Sequence, residues 1–224
     1  MNKILRTALR RFIEKKGFVI YRKSSLVGNQ NAFEYNSPTN TDKYYSSITN
    51  LRDYLSKSRT DAFEEILDIT KKNLSNKPLQ ILDAGCGCGF LTTLIKKQFP
   101  EASVTGIDHS DVAVAYANKN FSDIVFEQTD LYTGRLDKFD LIFCSSVLEH
   151  LSYPEIIISN FANSLNENGR IIITVPNGRM DFFDGHIHFW SPESWQLLLE
   201  KVIPKNSFKI HLLKSKPDIL TIIS

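Results

Sequence analysis

The sequence predicts an α/β fold in which a mostly parallel sheet carries helices on both faces. From residue 79 onward, five short apolar segments alternate with segments that have the spacing of amphipathic helices. Strands separated by helices pair in parallel, so this alternation predicts a helix-covered sheet. The last two apolar segments, Phe208–Leu213 and Ile219–Ile223, have no helix between them. They predict an antiparallel hairpin at one edge of the sheet.

The elements of this fold follow one another in a regular order. A helix over about residues 59–74 precedes the sheet. The predicted strands are Leu79–Asp83, Ser103–Asp108, Ile124–Gln128, Phe139–Ser145 and Gly169–Val175. The predicted helices are Phe90–Phe99, Ser110–Asn120, Pro154–Leu165 and Ser191–Val202. For the last of these helices, Ser191 is a good N-cap and Pro192 suits the first helical position. Pro100 ends the helix Phe90–Phe99.

The composition excludes several classes of protein. With 224 residues, of which 42% are hydrophobic, the chain needs no disulfide or metal to fold. A formal net charge of +2 is too small to predict a broad nucleic-acid surface. Three cysteines do not make a disulfide framework. Without a signal peptide or an apolar run of about 18 residues, we expect a cytoplasmic protein.

The first 58 residues differ from the rest of the chain. Residues 1–23 carry eight basic residues and one acid, a net charge of +7, and residues 3–16 have helical apolar spacing. This basic amphipathic helix predicts peripheral contact with the inner face of a membrane or with a partner, unless its charges are merely solvated. Residues 24–50 are rich in Asn, Ser and Thr and predict a long loop or cover segment.

A glycine-rich turn lies where the first predicted strand meets the first helix of the sheet. Gly85, Gly87 and Gly89 alternate with Cys86 and Cys88. Glycine lets the backbone turn tightly and lets a ligand approach it, and the helix that follows offers free N–H groups. The spacing is Gly-x-Gly-x-Gly, which differs from the Gly-x-Gly-x-x-Gly of dinucleotide-binding proteins. Cys86 and Cys88 provide too few ligands for zinc and are interpreted as small loop residues.

Two aspartates follow the next two strands. Asp108 ends the second strand, where its carboxylate can accept hydrogen bonds from both hydroxyls of a ribose, and Asp130 follows the third strand, near an expected adenine. Taken singly, each aspartate is explained by the preference of this residue for turns and helix N-caps. Together with the glycine turn, they place ligand-binding groups at the carboxyl ends of three neighbouring strands, which predicts a nucleoside cofactor.

These motifs resemble those of the class I S-adenosylmethionine-dependent methyltransferases over about residues 59–223. The resemblance rests on five segments: Leu-Asp-Ala-Gly-Cys-Gly-Cys-Gly at 82–89, Gly-Ile-Asp at 106–108, Phe-Asp-Leu-Ile at 139–142, Val-Leu-Glu-His-Leu at 147–151, and Asn-Gly-Arg-Ile-Ile-Ile-Thr-Val-Pro-Asn at 168–177. It implies a Rossmann-like sheet of seven strands, a methyltransferase domain at 59–224 behind the cover at 1–58, and S-adenosyl-L-methionine as the cofactor.

The same resemblance implies a role for individual residues. The glycine turn is implied to hold the methionine part of the cofactor, and Arg59 is implied to bind the carboxylate of that part. Asp108 is implied to bind the ribose of the cofactor. Asp130 and Leu131 are implied to bind its adenine. The complete set of cofactor-binding residues is Arg59, Asp83, Gly85, Gly87, Gly89, Asp108, His109, Asp130, Leu131 and Ser145. Tyr44 and Tyr45 in the cover are expected to close over the cofactor. For Arg59, a solvated surface charge is the alternative.

The catalytic candidates follow the fourth and fifth strands. Methyl transfer is an in-line displacement, in which the protein positions the acceptor and removes a proton from a hydroxyl. Glu149, His150 and His188 are the predicted catalytic residues, with His186 on the same rim. Structural histidines are the alternative. The aromatic segment Met180–Trp190 is interpreted either as a platform for a sugar or planar ring, or as part of the core.

The segment at 146–150 also resembles a metal motif. Ubiquinone-pathway O-methyltransferases and small-RNA 3′-terminal 2′-O-methyltransferases carry Glu-x-x-Glu-His there, and the latter add a histidine from a segment similar to His188-Phe189-Trp190. In this sequence Ser146 stands where the first glutamate would be. Because a hydroxyl is a poor ligand for a hard divalent cation, we predict no metal.

The prediction is an S-adenosylmethionine-dependent O-methyltransferase for a small molecule or glycan, of the ubiquinone-pathway-like group. A metal-dependent RNA 2′-O-methyltransferase and an inactive cofactor-binding scaffold remain as alternatives. A nicotinamide-dependent oxidoreductase is disfavoured by the glycine spacing and by the terminal hairpin.

Overall fold

The computed structural model describes residues 32–181, 183 and 185–224. The basic helix predicted at 3–16 lies outside these residues. From residue 32 onward, four helices precede the sheet: α1 (Ala32–Tyr35), α2 (Pro38–Tyr45), α3 (Ile48–Tyr54) and α4 (Lys57–Lys72). In the described part of the chain, no helix is long and apolar enough to cross a membrane.

The prediction of a long loop over 24–50 is wrong for the described part of this segment, because α1 and α2 lie within it and α3 begins in it. Its polar side chains donate hydrogen bonds to backbone carbonyl groups of these helices. The composition alone does not reveal these hydrogen bonds. Thr41 Oγ1 donates to the Ser37 carbonyl at 3.1 Å, and Ser46 Oγ donates to the Asp42 carbonyl at 2.8 Å. Pro38 takes the first position of α2, where its missing N–H costs nothing.

The sheet has the predicted seven strands: β1 (Gln80–Ala84), β2 (Ser103–Asp108), β3 (Val125–Gln128), β4 (Phe139–Ser145), β5 (Leu165–Pro176), β6 (Phe208–Leu212) and β7 (Asp218–Ile223). Their spatial order is β3-β2-β1-β4-β5-β7-β6. The first five strands pair in parallel, and β7 lies antiparallel between β5 and β6, which confirms the terminal hairpin.

Strand β5 differs from its predicted bounds by more than one residue, whereas the ends of the other strands agree to within one residue. β5 begins at Leu165 instead of Gly169, because Leu165 already pairs with Phe139 before a register shift. Asn168 has a positive φ of 62° in this irregular stretch. The preceding helix therefore ends at Asn163, two residues earlier than the predicted Leu165.

The two faces of the sheet pack against different helices. The helices that follow the cover are α5 (Phe90–Gln98), α6 (Asp111–Asn120), α7 (Pro154–Asn163) and α8 (Pro192–Val202). Ile142 and Ile171 pack against α7 and α8, whereas their chain neighbours Leu141 and Ile172 face α4 and α5. This alternation is the period-two pattern of a strand, and each fully buried aliphatic side chain contributes about 1.5–3 kcal/mol.

The strand order places a crevice beside β1. From β1 toward one edge of the sheet the strands follow in the order β2 and β3, whereas β4 lies on the other side of β1 and leads to the opposite edge. At such a reversal the loops after neighbouring strands separate and leave room for a ligand at the carboxyl ends. The residues after β1, β2, β3 and β4 are therefore brought to one rim.

Candidate active site

The glycine turn after β1 has a backbone that other residues would strain. Gly85, Gly87 and Gly89 have φ values of 76°, 51° and 81°. The N–H groups of Gly85 and Cys86 both donate to the Ile107 carbonyl, at 2.8 and 2.9 Å, which ties the turn to β2. A Cβ atom at Gly87 would come within 2.8 Å of the Tyr45 hydroxyl. The turn is therefore tightly covered by the helices that precede the sheet.

Asp108 at the end of β2 is buried beside this turn. Its Oδ2 accepts a hydrogen bond from the Gly87 N–H at 2.8 Å, and its Oδ1 accepts one from the Ser110 N–H at 2.9 Å. Burial raises the pKa of this carboxyl. Each carboxylate oxygen can accept more than one hydrogen bond, so Asp108 keeps capacity for ribose hydroxyls. His109 Nδ1 is 3.6 Å from its Oδ1.

Asp83 in β1 is a second buried carboxyl in the cavity lining. Thr92 Oγ1 donates to its Oδ2 at 2.6 Å. Burial raises the pKa of Asp83 to about 7, an effect that the Thr92 hydrogen bond opposes and the neighbouring Asp108 increases. At neutral pH the carboxyl is therefore partly protonated.

Helices α2, α3 and α4 place aromatic rings and the Arg59 guanidinium in the lining of the cavity. Tyr44 and Tyr45 pack edge to face at 5.4 Å, and Tyr45 also contacts Tyr54 at 6.3 Å between ring centroids. The guanidinium carbon of Arg59 lies 4.3 Å from the centre of the Tyr54 ring, a cation–π contact. Arg59 lines the cavity, so the structure places it with the other predicted cofactor residues. Tyr54 was not predicted from the sequence.

The remaining predicted cofactor residues, apart from Gly89, also line the cavity. Asp130 and Leu131 line it, but Asp130 Oδ1 accepts a hydrogen bond from the Tyr132 N–H at 2.7 Å and so also holds its own turn. Ser145 Oγ is 2.7 Å from Thr174 Oγ1. The cofactor set predicted from the sequence is thus brought together around one space, with Gly89 at the start of α5.

Glu149 also lines the cavity. It belongs to a short 3-10 helix, Leu148–His150, that follows β4, and it is 1% exposed. Among the described residues, neither of its carboxylate oxygens has a hydrogen-bond partner. Burial raises the pKa of Glu149 to about 8. Its backbone carbonyl accepts hydrogen bonds from the Ile187 and His188 N–H groups, at 2.8 and 3.1 Å, which fixes the segment after β5.

Two of the predicted histidines meet beside Glu149. The rings of His150 and His186 are 4.8 Å apart, and His186 Nε2 is 3.9 Å from Glu149 Oε1. His150 Nδ1 lies 3.2 Å from the Gly185 carbonyl oxygen. Burial, and then the neighbouring His186, lower the pKa of His150 to about 4. Both histidines line the cavity.

His188, predicted as catalytic, lies outside the cavity lining. Its Nε2 is 2.9 Å from the Leu151 carbonyl oxygen, and its ring stacks on Trp190 at 4.8 Å with an interplanar angle of 9°. Both contacts hold it in the wall behind the site. His186 occupies the place beside Glu149 that the sequence prediction gave to His188.

The aromatic segment after β5 contributes both to the core and to the wall of the cavity. Trp190 is buried and packs against Trp195 of α8 at 5.0 Å, so it belongs to the core. Phe183 is 42% exposed, lines the cavity and contacts Tyr35 at 5.3 Å. The segment therefore closes the core on one side and offers an aromatic wall on the other.

Glu149, His150 and His186 also form a set that could hold a metal ion. Each offers one ligand atom, and these atoms lie within 4.8 Å of one another. The contact between His150 Nδ1 and a backbone carbonyl is the kind that orients metal-bound imidazoles. Ser146, with a φ of 55°, supplies no carboxylate to this set.

The cofactor end and the Glu149 end belong to one cavity of about 1530 Å³. Pockets for single small ligands measure roughly 300–1,000 Å³. This cavity is large enough for a nucleoside cofactor and a second molecule side by side. That is the arrangement that direct transfer of a group between two bound molecules requires.

Comparisons with known proteins agree with this geometry. Residues 75–213 match the family model described as a methyltransferase domain. The chain is 31% identical over 101 residues to a trans-aconitate 2-methyltransferase of Methylobacterium nodulans, a match that covers 45% of this chain and 39% of the relative. It is also 31% identical over 117 residues to a ubiquinone biosynthesis O-methyltransferase of Coxiella burnetii, covering 50% of this chain and 49% of the relative. The chain thus spans about half or less of these two curated relatives.

A solved structure has the same fold. The N-methyltransferase NodS from Bradyrhizobium japonicum, in complex with S-adenosylhomocysteine, superposes with a TM-score of 0.65 at 18% identity. The superposition covers 84% of this chain and 97% of NodS. With the glycine turn, Asp108 and the seven-stranded sheet, the family match shows that the chain belongs to the methyltransferase domain family of the class I S-adenosylmethionine-dependent methyltransferases.

Proposed function

We propose that the protein transfers the methyl group of S-adenosylmethionine to a hydroxyl of a small molecule or glycan. One observation carries this proposal: a single cavity joins the glycine turn and Asp108 to the unpaired carboxyl of Glu149 and to His150. The ubiquinone biosynthesis O-methyltransferase among its sequence relatives supports transfer to an oxygen.

The cofactor end supplies groups suited to each part of S-adenosylmethionine. Asp108 would accept hydrogen bonds from the ribose, Asp130 and Leu131 would bind adenine, and the turn at 85–89 would hold the methionine part. Arg59, positioned on Tyr54, would pair with the cofactor carboxylate. The methyl group would then point toward Glu149 and His150 at the other end of the cavity.

The acceptor end supplies a destination for the proton. As the hydroxyl oxygen bonds to the methyl carbon, the sulfur–carbon bond breaks and its electron pair returns to sulfur. The O–H proton must leave in the same process. His150 is neutral at physiological pH, because burial keeps its pKa near 4, and it can accept a hydrogen bond from the hydroxyl. Glu149, with a pKa of about 8, is the second proton acceptor above that pH.

The experiment is transfer of an isotope-labelled methyl group from S-adenosylmethionine into a native cell extract. We expect labelled product with the wild type and none with Asp108→Ala, whereas the exposed variant Lys57→Ala should match the wild type. Absence of transfer by a folded wild-type protein that binds S-adenosylhomocysteine would instead support the inactive-scaffold alternative.

A metal-dependent RNA 2′-O-methyltransferase is the second candidate, favoured by the ligand set of Glu149, His150 and His186. It requires transfer to RNA that disappears with a chelator and returns with a divalent cation. Transfer that a chelator leaves unchanged would eliminate this candidate. The predicted contact of residues 1–23 with a membrane or partner would be tested by binding of the full chain to anionic vesicles.

A further inference from the structure

One backbone carbonyl connects the cover to the acceptor end of the cavity. The Gly185 oxygen accepts a hydrogen bond from Asn36 Nδ2 at 2.9 Å, and His150 Nδ1 lies 3.2 Å from the same oxygen. A carbonyl oxygen can only accept, so the contact with His150 requires the proton on Nδ1. A neutral imidazole carries one N–H, which leaves Nε2 with a free lone pair. Among the described residues, Nε2 has no hydrogen-bond partner.

The position of this carbonyl depends on the cover. Tyr35 packs edge to face on Phe183, and a Cβ atom at Gly185 would come within 2.5 Å of Tyr35 and 2.6 Å of Phe183. Asn36 adds the hydrogen bond, while the same amide also donates to the Ala32 carbonyl at 2.9 Å. The end of α1 therefore holds the turn at Gly185 by both packing and hydrogen bonding.

The charged groups around this end do not favour an anionic acceptor. Glu149 and Asp181 contribute carboxyl groups, and His186 lies between them, 3.9 Å from each. Lys216 acts electrostatically on both Glu149 and His186, but its Nζ is 2.8 Å from Asp218 Oδ2. A carboxylate placed here would face the lone pair of His150 Nε2, and it has no proton to donate to that nitrogen.

We propose that Asn36, acting through the Gly185 carbonyl, holds His150 in its Nδ1–H tautomer, so that Nε2 accepts a hydrogen bond from a protic acceptor group and the site discriminates against carboxylate acceptors. This rests on the methyl transfer proposed above. It makes Asn36 a positioning residue, and within the proposed transfer to a hydroxyl it predicts an ether product instead of a methyl ester. In the reaction, the proton of the acceptor hydroxyl passes to His150 Nε2 as the hydroxyl oxygen bonds to the methyl carbon, and the electron pair of the broken sulfur–carbon bond returns to sulfur.

The tautomer is measured by ¹⁵N NMR of the histidine side chains. In the wild type we expect His150 to show a protonated Nδ1 and an unprotonated Nε2. Asn36→Ala should mix the tautomers, and Asn36→Asp, which keeps the shape but removes the donor, should do the same. The matched control is Asn40→Ala, because Asn40 Nδ2 donates instead to the Glu34 carbonyl at 2.8 Å. A wild-type Nε2–H tautomer, or an unchanged tautomer in both Asn36 variants, would overturn the proposal.

The acceptor class is measured on the labelled product formed in extract. Methyl esters release labelled methanol in mild base, whereas ethers and N-methyl compounds do not. Base-stable label supports the proposal and base-labile label contradicts it. If the wild type transfers no label at all, the proposed function fails, while the NMR measurement still decides the role of Asn36.

Discussion

The hydroxyl of Tyr45 lies against Gly87, so the cover and the glycine turn are in direct contact at the cofactor end of the cavity. Tyr45 belongs to α2, and Asp42 of the same helix accepts a hydrogen bond from Ser110 Oγ at 2.6 Å. These contacts join the cover to the loops after β1 and β2. Residues that the composition assigns to a loop therefore line the cavity beside the predicted cofactor residues.

Gly87→Ala is expected to reduce both stability and cofactor binding. The φ of 51° would cost a residue with a Cβ about 1–2 kcal/mol, and the added carbon would also displace Tyr45. Thermal unfolding and titration with S-adenosylhomocysteine measure the two effects. The double variant with Tyr45→Ala relieves the contact but not the backbone strain, so it should recover only part of the loss. Wild-type stability in the single variant would contradict this account of the turn.

Arg59→Ala should weaken binding of S-adenosylhomocysteine without affecting 5′-methylthioadenosine. The second ligand keeps the nucleoside but lacks the carboxylate that Arg59 is proposed to pair with. Loss of one hydrogen bond between charged groups costs about 1.5–3 kcal/mol, or roughly a 10- to 100-fold rise in Kd. Calorimetry with both ligands is the measurement. An equal loss for the two ligands would place Arg59 in a purely structural role.

Asp83→Asn should change how stability depends on pH. Because burial raises the folded-state pKa of Asp83 from 3.8 to about 7, its contribution to stability is fully present below pH 3.8 and is lost as pH rises to 7. The loss is at most about 4 kcal/mol. Denaturant unfolding from pH 4 to pH 9 should therefore show a smaller decline in the variant. Parallel curves for variant and wild type would refute the raised pKa.

His150→Ala and His188→Ala should have different consequences. Removal of a proton acceptor lowers the transfer rate roughly 100- to 10,000-fold, and we expect this for His150. His188→Ala should instead lower stability by about 1–3 kcal/mol, because it loses the stacking on Trp190 and the contact with the Leu151 carbonyl. Methyl-transfer rates per folded molecule distinguish them. A large rate loss with His188→Ala alone would restore His188 as the catalytic residue.

The sheet, and the position of the predicted cofactor residues around one cavity, were predictable because short-range patterns determine them. Periodicity locates strands such as Phe139–Ser145, and the end of a strand fixes where Asp108 must lie. His186 faces the cavity as expected, but the placement of His188 outside the cavity lining was not predictable. The two residues are close in sequence, and stacking on Trp190 decides which one faces the cavity.

The cover was mispredicted for a related reason. Asn, Ser and Thr favour turns in general, but here Thr41 and Ser46 hydrogen-bond to carbonyls four residues before them within helices. Those helices gain stability by packing tyrosines on the glycine turn, a contact between segments about 40 residues apart. The contact between Asn36 and Gly185 spans still more of the chain, and no local pattern indicates it.

Calorimetric titration of the wild type with S-adenosylhomocysteine, beside Asp108→Ala, tests the central claim most directly. Asp108 accepts hydrogen bonds from the Gly87 and Ser110 N–H groups, and it is the proposed ligand of the cofactor ribose. We expect one cofactor molecule per chain and at least about a tenfold loss of affinity in the variant, since hydrogen bonds to a charged group contribute about 1.5–3 kcal/mol. No binding by the folded wild type, or equal affinity in both proteins, would contradict the assignment of this cavity to S-adenosylmethionine.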